Sequence, residues 1–151
     1  MINVEKSKEV LFLSEILKKI DTGILIIDGQ EIIYANEWIF KKSGYTKKEF
    51  YGKENFAKFI TNDYKDMVLE YNKRRSDGDT TLPTNYEIKT IIKDGSFLWL
   101  DCNVSTVNID GNVFILFFMK DVTPFKKTEE NYVTVFELSP DAISISKILG
   151  V

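Results

Sequence analysis

The sequence predicts an α+β domain whose strands form one antiparallel sheet. Apolar runs meet at three short turns, Asp28-Gly29, Asp94-Gly95 and Asp110-Gly111, and such dipeptides suit the tight turns of β-hairpins. Tight hairpins force neighbouring strands to run antiparallel. The order of elements is two strands, several short helices and three strands. It lacks the strand-helix alternation of a parallel sheet, and this excludes the receiver-like fold that residues 26–29 suggest in isolation.

A helix is predicted over residues 4–20, before the first strand. Its apolar residues recur at helical spacing, and three more widen the apolar stripe. This width exceeds what one contact requires, so we expect the helix to cover a sheet face, pair with a second subunit, or do both. The stripe consists of Val10, Leu13, Leu17 and Ile20, widened by Leu11, Phe12 and Ile16.

The first hairpin covers residues 24–36 and leads directly into helices. Asn36 is predicted to be the N-cap of a helix over residues 37–43, with its side chain accepting hydrogen bonds from the free amides of the first turn. Gly44 should end that helix.

Two more helices follow. Thr46 and Glu49 have the spacing of a capping box for a short helix over residues 47–51. Residues 61–63 can cap a longer helix with one buried face. That face carries Tyr64, Met67, Val68 and Tyr71.

The last three strands are predicted over residues 85–93, 97–109 and 112–120. The last strand is apolar on both sides, so it should lie centrally and need cover on its outer face. The strand before it has one apolar row, which should face the helices, and one wetter row. The apolar row is Leu98, Leu100, Cys102 and Val104, and the wetter row is Phe97, Trp99, Asp101, Asn103 and Ser105.

Composition excludes several classes of function. The 151 residues carry a net charge of −3, which argues against a nucleic-acid binder, and the basic stretches 41–48 and 72–77 are interpreted as solvated faces. The absence of histidine and the single cysteine exclude the usual zinc sites, Ser-His-Asp and Cys-His catalysis and a phosphorylated histidine in this segment. No catalytic or metal-binding residue is predicted.

No apolar run is long enough to span a bilayer, and the amino terminus lacks a signal-peptide core. A single cysteine cannot form an internal disulfide and is compatible with a reducing compartment. We therefore expect a cytoplasmic segment that does not contact a membrane.

Four stretches carry a resemblance to a known family: DTGILIIDGQEIIYANE, SGYTKKEFYGKE, KDGSFLWLDC and MKDVT. In this order and spacing, residues 21–123 resemble a PAS domain, or sensory box, of multi-domain bacterial or archaeal signalling proteins. The resemblance implies a five-stranded antiparallel sheet with short helices on one face and the amino-terminal amphipathic helix on the other. It also implies that the opening hairpin lies in the middle of the sheet.

The resemblance divides the chain into an amino-terminal cap or dimerisation helix (1–20), a PAS domain (21–123) and a connector (124–151). Residues 136–150, FELSPDAISISKILG, are similar to the start of a second PAS repeat. This suggests a segment of a longer sensor, although an ordinary carboxy-terminal tail stays open.

Each cofactor of the family has to be tested at its own residues. Ala57 stands where photosensors of the LOV type have their flavin-reactive cysteine, and no histidine is present to ligate haem. The inward positions Thr90, Leu100 and Met119 are mostly apolar. These residues argue against haem and against covalent flavin chemistry, and they leave the cofactor unknown.

The resemblance implies a sensory or dimerisation module that relays a signal to an output domain in cis, a histidine kinase or, alternatively, a cyclic-dinucleotide enzyme of the GGDEF type. A second hypothesis is a receptor for a small apolar ligand or a non-covalent flavin. Its candidate pocket residues are Leu25, Ile27, Phe56, Phe59, Met67, Tyr71, Ile88, Thr90, Leu100, Cys102, Ile115, Phe117 and Met119.

The candidate residues for a homodimer are on the amino-terminal helix and the outer sheet face: Val10, Leu13, Leu17, Ile20 and Trp99. A third hypothesis is a small hydrolase or isomerase that uses Asp28, Asp101 or Asp121. It has no support in the sequence, because no base or oxyanion donor is evident beside these carboxylates.

Overall fold

A computed structural model describes residues 4–51 and 56–126 of the chain. The elements are a helix α1 (Val4–Lys19), strands β1 (Gly23–Asp28) and β2 (Glu31–Ala35), helices α2 (Glu37–Ser43) and α3 (Lys47–Phe50), a 3₁₀ helix (Phe56–Phe59), helix α4 (Asn62–Ser76), and strands β3 (Asn85–Ile91), β4 (Phe97–Ile109) and β5 (Asn112–Asp121).

The chain divides into two compact units after Asp121. The first contains all of the elements named above. In the second, residues 123–126 are helical. The segment 136–150, with its similarity to the start of a second PAS repeat, lies outside the described residues.

The five strands form one sheet in the order β2-β1-β5-β4-β3, with every neighbouring pair antiparallel. The predicted α+β fold is confirmed, as is the central position of β5. The opening hairpin, however, does not lie in the middle of the sheet. Strand β5 is apolar on both sides and pairs with β1 and with β4, so it takes the centre and leaves β2 at an edge.

The inner face of the sheet forms the core with the short helices. Cross-strand register places Phe117 of β5 between Leu25 of β1 and Val104 of β4, and all three side chains are buried. Because side chains alternate along a strand, the same register puts the wetter row of β4 on the outer face.

Helix caps follow the predicted positions but not always the predicted bonds. Thr46 and Glu49 form the predicted capping box. Asn36 is the N-cap of α2 in backbone conformation, but its side chain makes no cap hydrogen bond. Instead its Oδ1 accepts from the Ile24 amide at 3.0 Å and its Nδ2 donates to the Thr22 carbonyl at 2.9 Å. A buried asparagine beside a strand satisfies that strand first, because an unpaired buried backbone group is costly.

The expectation that α1 covers the outer face of the sheet is not met within the single chain. Five of its apolar side chains are exposed to between 53 and 66 %, Leu17 is half-buried, and the helix makes contacts with α2. The apolar stripe is too wide for one short contact to bury. The exposed side chains are Val10, Leu11, Phe12, Leu13 and Ile16.

Candidate functional site

A small cavity lies between the inner sheet face and the short helices. Its volume is about 70 Å³, roughly the space of two water molecules in the liquid. Ligand pockets for molecules of drug size usually measure several hundred Å³. The cavity therefore accommodates a very small molecule, and a larger one would require the helices to move.

Aromatic rings form much of the cavity wall. The rings of Phe50 and Phe59 stack with centroids 4.5 Å apart, and Tyr45 meets Phe59 edge-on at 4.9 Å. Phe50 lies at the end of α3, the helix that begins at the Thr46–Glu49 capping box. The capping box thus determines where α3 begins and so helps to place Phe50 in the wall. The packed rings give the cavity its apolar character.

The polar groups of the wall are few. Thr90 is buried, and its hydroxyl donates to the Leu98 carbonyl at 3.2 Å. Its hydrogen is therefore already used within the sheet. A ligand in this cavity would be held by apolar contacts more than by hydrogen bonds.

An ion pair beside the cavity joins α3 to the turn between β3 and β4. Lys93 Nζ lies 2.8 Å from Glu49 Oε1, and the Lys93 amide donates to the Ser43 carbonyl at 2.9 Å. The hydrogen bond from Lys93, helped by those from Thr46, lowers the pKa of Glu49 to about 2. We call this pair the Glu49–Lys93 clasp. It links two elements that line the cavity.

A second ion pair connects the cavity wall to the end of the sheet. Lys42, a lining residue on α2, lies 3.3 Å from an oxygen of Asp121, the last residue of β5. Lys42 also lies 5.7 Å from the Trp38 ring. A shift of α2 would thus move or break the ion pair at Asp121, where the chain leaves the sheet.

The structure gathers about half of the thirteen predicted pocket residues around the cavity. They come from β1, the 3₁₀ helix and the last three strands. The lining members are Leu25, Phe56, Phe59, Ile88, Thr90, Leu100 and Met119.

The other six predicted pocket residues do not line the cavity. Four are buried in the core, and Met67 and Tyr71 are half-buried on α4. Burial, and to a smaller degree Asp101, raises the pKa of the Cys102 thiol to about 12, so the thiol is neutral at physiological pH. The four core residues are Ile27, Cys102, Ile115 and Phe117.

Sequence reasoning missed the share of the wall contributed by α2 and α3. Its only signal was the spacing of apolar residues on two helices too short to show a clear period.

One missed residue is tightly constrained. A Cβ added at Gly23 would lie 2.6 Å from the Trp38 ring, so the glycine permits the indole to pack over β1. The missed lining residues include Trp38, Ile39, Tyr45, Phe50, Ile60 and Leu98.

The outer face of the sheet carries exposed apolar side chains. Phe118, on the central strand, is 39 % exposed, and Phe97 and Val107 of β4 are exposed as well. Trp99 is half-buried, with its ring 5.8 Å from Tyr64 of α4. Of the other predicted dimer residues, Val10 and Leu13 are exposed, and Leu17 and Ile20 are half-buried.

The interpretation of residues 72–77 as a solvated basic face is wrong for two of its members. Asn72 and Arg75 are buried. They continue the buried face of α4 from Val68 at spacings of four and seven residues, and this periodicity was the available signal. Because arginine and asparagine are polar residues, they were not counted as part of the buried face.

Among the described helices, none combines the length and the apolar character needed to cross a bilayer. Likewise, over residues 4–51 and 56–126, no three acidic or cysteine side chains come together as metal ligands.

A family model described as "PAS domain" matches residues 21–124. No curated protein matches the chain.

Three solved structures with similar folds are distant from this chain in sequence. The PAS domain of an HTR-like protein from Haloarcula marismortui is 17 % identical, with a TM-score of 0.65 over 78 % of this chain and 94 % of that one. A sensory box histidine kinase/response regulator from Burkholderia thailandensis is 17 % identical, with a TM-score of 0.62 over 83 % and 95 % of the two chains. The amino-terminal domain of a diguanylate cyclase with a PAS/PAC sensor from Marinobacter aquaeolei is 17 % identical, with a TM-score of 0.58 over 70 % and 98 %.

Proposed function

The chain belongs to the PAS domain family, and on that premise we propose that it is a cytoplasmic sensory and dimerisation module. In this proposal two copies associate through α1 and the outer sheet face. A change in packing or association is then relayed to an output domain in cis, either a histidine kinase or a cyclic-dinucleotide enzyme. The segment itself is not an enzyme in this proposal.

The observation that carries the proposal is the exposure of two apolar surfaces on one small unit. The stripe of α1 and the outer face of β4 and β5 both expose large apolar side chains. Contiguous apolar surface of this kind usually marks a contact with another molecule. A second copy is the favoured partner because each copy would bring both surfaces, and a twofold interface can use them reciprocally.

The path of the signal in this proposal runs through α2. Lys42 lines the cavity and pairs with Asp121, so a rearrangement of the core would alter the position at which β5 ends. Coupling of this kind requires two packing states that the signal stabilises to different degrees.

Light scattering on residues 1–151 and on residues 21–151 tests the association. We expect the mass of a dimer for the full segment and of a monomer for the truncated one. Circular dichroism of the truncated segment should show that it remains folded. An unchanged mass, or a monomer in both cases, would contradict the proposed role of α1.

A second candidate function is a receptor for a very small apolar ligand, and the apolar cavity of about 70 Å³ favours it. The size of the cavity speaks against a non-covalent flavin in this conformation. Native mass spectrometry and an absorption spectrum of the purified protein distinguish the two functions. Added mass with no visible absorption would support the receptor, and an unliganded mass would contradict it.

A further inference from the structure

Helix α4 buries a positive charge that has no negative partner among the described residues. Arg75 is 4 % exposed, and its Nη2 donates to the Pro83 carbonyl. Its Nη1 is buried without a hydrogen-bond partner. The neighbouring Arg74, in contrast, is nearly half exposed and pairs with Asp79 at 2.7 Å. Burying a guanidinium is costly unless an anion and hydrogen-bond acceptors compensate for the lost water.

Among residues 4–51 and 56–126, the side chains around Arg75 do not provide that anion. The rings of Tyr71 and Tyr86 lie 5.6 and 5.9 Å from its guanidinium carbon, in cation–π contact. Burial raises the pKa of Tyr86 to about 12 although Arg75 acts against the rise. The phenol is therefore neutral, as is the thiol of Cys102, which faces Tyr86 across the β3–β4 ladder.

Further polar atoms nearby are also without partners. Asn72, one turn before Arg75 on the same face of α4, is 0 % exposed, and neither its amide nitrogen nor its amide oxygen has a partner. The Tyr86 hydroxyl is close enough to Arg75 for a hydrogen bond from the guanidinium to act on its pKa, but its own hydrogen has no acceptor. Buried polar groups are nearly always hydrogen-bonded, so a cluster of unsatisfied ones points to a missing molecule.

We propose that Arg75, Asn72 and Tyr86 form a binding site for the carboxylate of a small organic acid. One guanidinium nitrogen, one amide nitrogen and one hydroxyl supply donors, and a carboxylate presents about four lone-pair positions to accept them. Ordered water would satisfy hydrogen bonds but would leave the buried charge uncompensated, and this favours an anion over water.

This site is separate from the apolar cavity, because none of the three residues lines that cavity. It is also independent of the proposed association of two copies. The test of the carboxylate site can therefore give a negative result while light scattering shows a dimer, and the opposite combination can also occur.

The test replaces sodium chloride by sodium formate or sodium acetate at constant ionic strength and follows thermal unfolding. We expect a saturable rise in Tm of about 5 °C for the native chain. The same rise should persist in Arg74→Gln, the matched control for a surface arginine, and should vanish in Arg75→Gln. Equal Tm values in formate and chloride would overturn the proposal. An equal rise in the Tm of Arg75→Gln would overturn it too, because it would indicate a general salt effect.

Two measurements keep the test decisive if Arg75→Gln fails to fold. The Tyr86→Phe variant keeps the ring but removes one donor, so it should weaken formate binding about tenfold. Nitrogen-15 NMR of the arginine side chains in the native chain should show the Arg75 resonance moving with formate while that of Arg74 does not. A stationary Arg75 resonance would overturn the proposal.

Discussion

At the scale of single residues, Asn36 does more than begin a helix. Its amide group joins the start of β1 to the end of the first hairpin through bonds to Ile24 and Thr22. We expect Asn36→Ala to lower the free energy of unfolding by about 2 kcal/mol, because two partly buried backbone groups lose their partner. Asn36→Ser should lose nearly as much, although serine is a good N-cap. Urea unfolding measures both changes.

The control for this prediction is Asn62→Ala, an exposed asparagine at the start of α4. It should change stability by less than about 0.5 kcal/mol. Full stability in Asn36→Ser would mean that the capping role dominates after all.

Gly23 is the second residue with a specific requirement. An alanine there would push against the Trp38 ring, which is itself held by a 2.9 Å hydrogen bond from its Nε1 to Asp21. We expect Gly23→Ala to cost about 1–3 kcal/mol through overpacking. In the Trp38→Leu background, the same Gly23→Ala change should cost less stability than it does in the native chain. Additive effects in chemical denaturation would contradict the clash.

At the scale of elements, local signals predicted most of the helices and strands. Strand β4 has the predicted bounds and β5 is one residue longer, because alternation and the Asp-Gly turns define them locally. The cavity wall was harder to predict. Five of its seventeen lining residues come from α2 and α3. Whether a buried side chain lines a void or fills the core depends on tertiary packing. The buried face of α4 was hidden by the charge of Arg75.

The Glu49–Lys93 clasp predicts how the contact between α3 and the β3–β4 turn depends on pH. The pKa of Glu49 is about 2 in the folded chain and near 4.5 ordinarily. A lowered pKa means that the clasp stabilises the fold fully above about pH 4.5 and progressively less as the pH falls towards 2. Glu49→Gln should therefore lower Tm at pH 7 and leave it unchanged near pH 2.

The effect should be small and should weaken in 1 M salt, because both partners are largely exposed. Lys93→Gln should reproduce it, whereas Lys48→Gln, an exposed lysine on the same helix as Glu49, should not. A Tm difference between Glu49→Gln and the native chain that is equal at pH 7 and pH 2 would argue against the clasp.

At the scale of the whole molecule, the sheet order follows from the apolar pattern of one strand. Strand β5 is apolar on both faces, so its inner residues build the core and its outer residues have to find a partner elsewhere. The sequence therefore predicted a need for cover and indicated α1 as its source, alone or with a second subunit. Within one chain α1 leaves its apolar stripe exposed, and an interface between copies is a property that a single sequence does not specify locally.

The outer face supplies the last prediction. Phe118 is 39 % exposed at the centre of the sheet, and Ile33 is 44 % exposed on the edge strand β2. A lysine at either position should cost the monomer less than about 1 kcal/mol, because neither side chain is in the core. If two copies meet through the outer face, Phe118→Lys should bury a charge in the interface and convert the dimer to a monomer in light scattering. Ile33→Lys should remain dimeric. Dimers for both variants would move the interface away from the central strands and leave α1 as its main component.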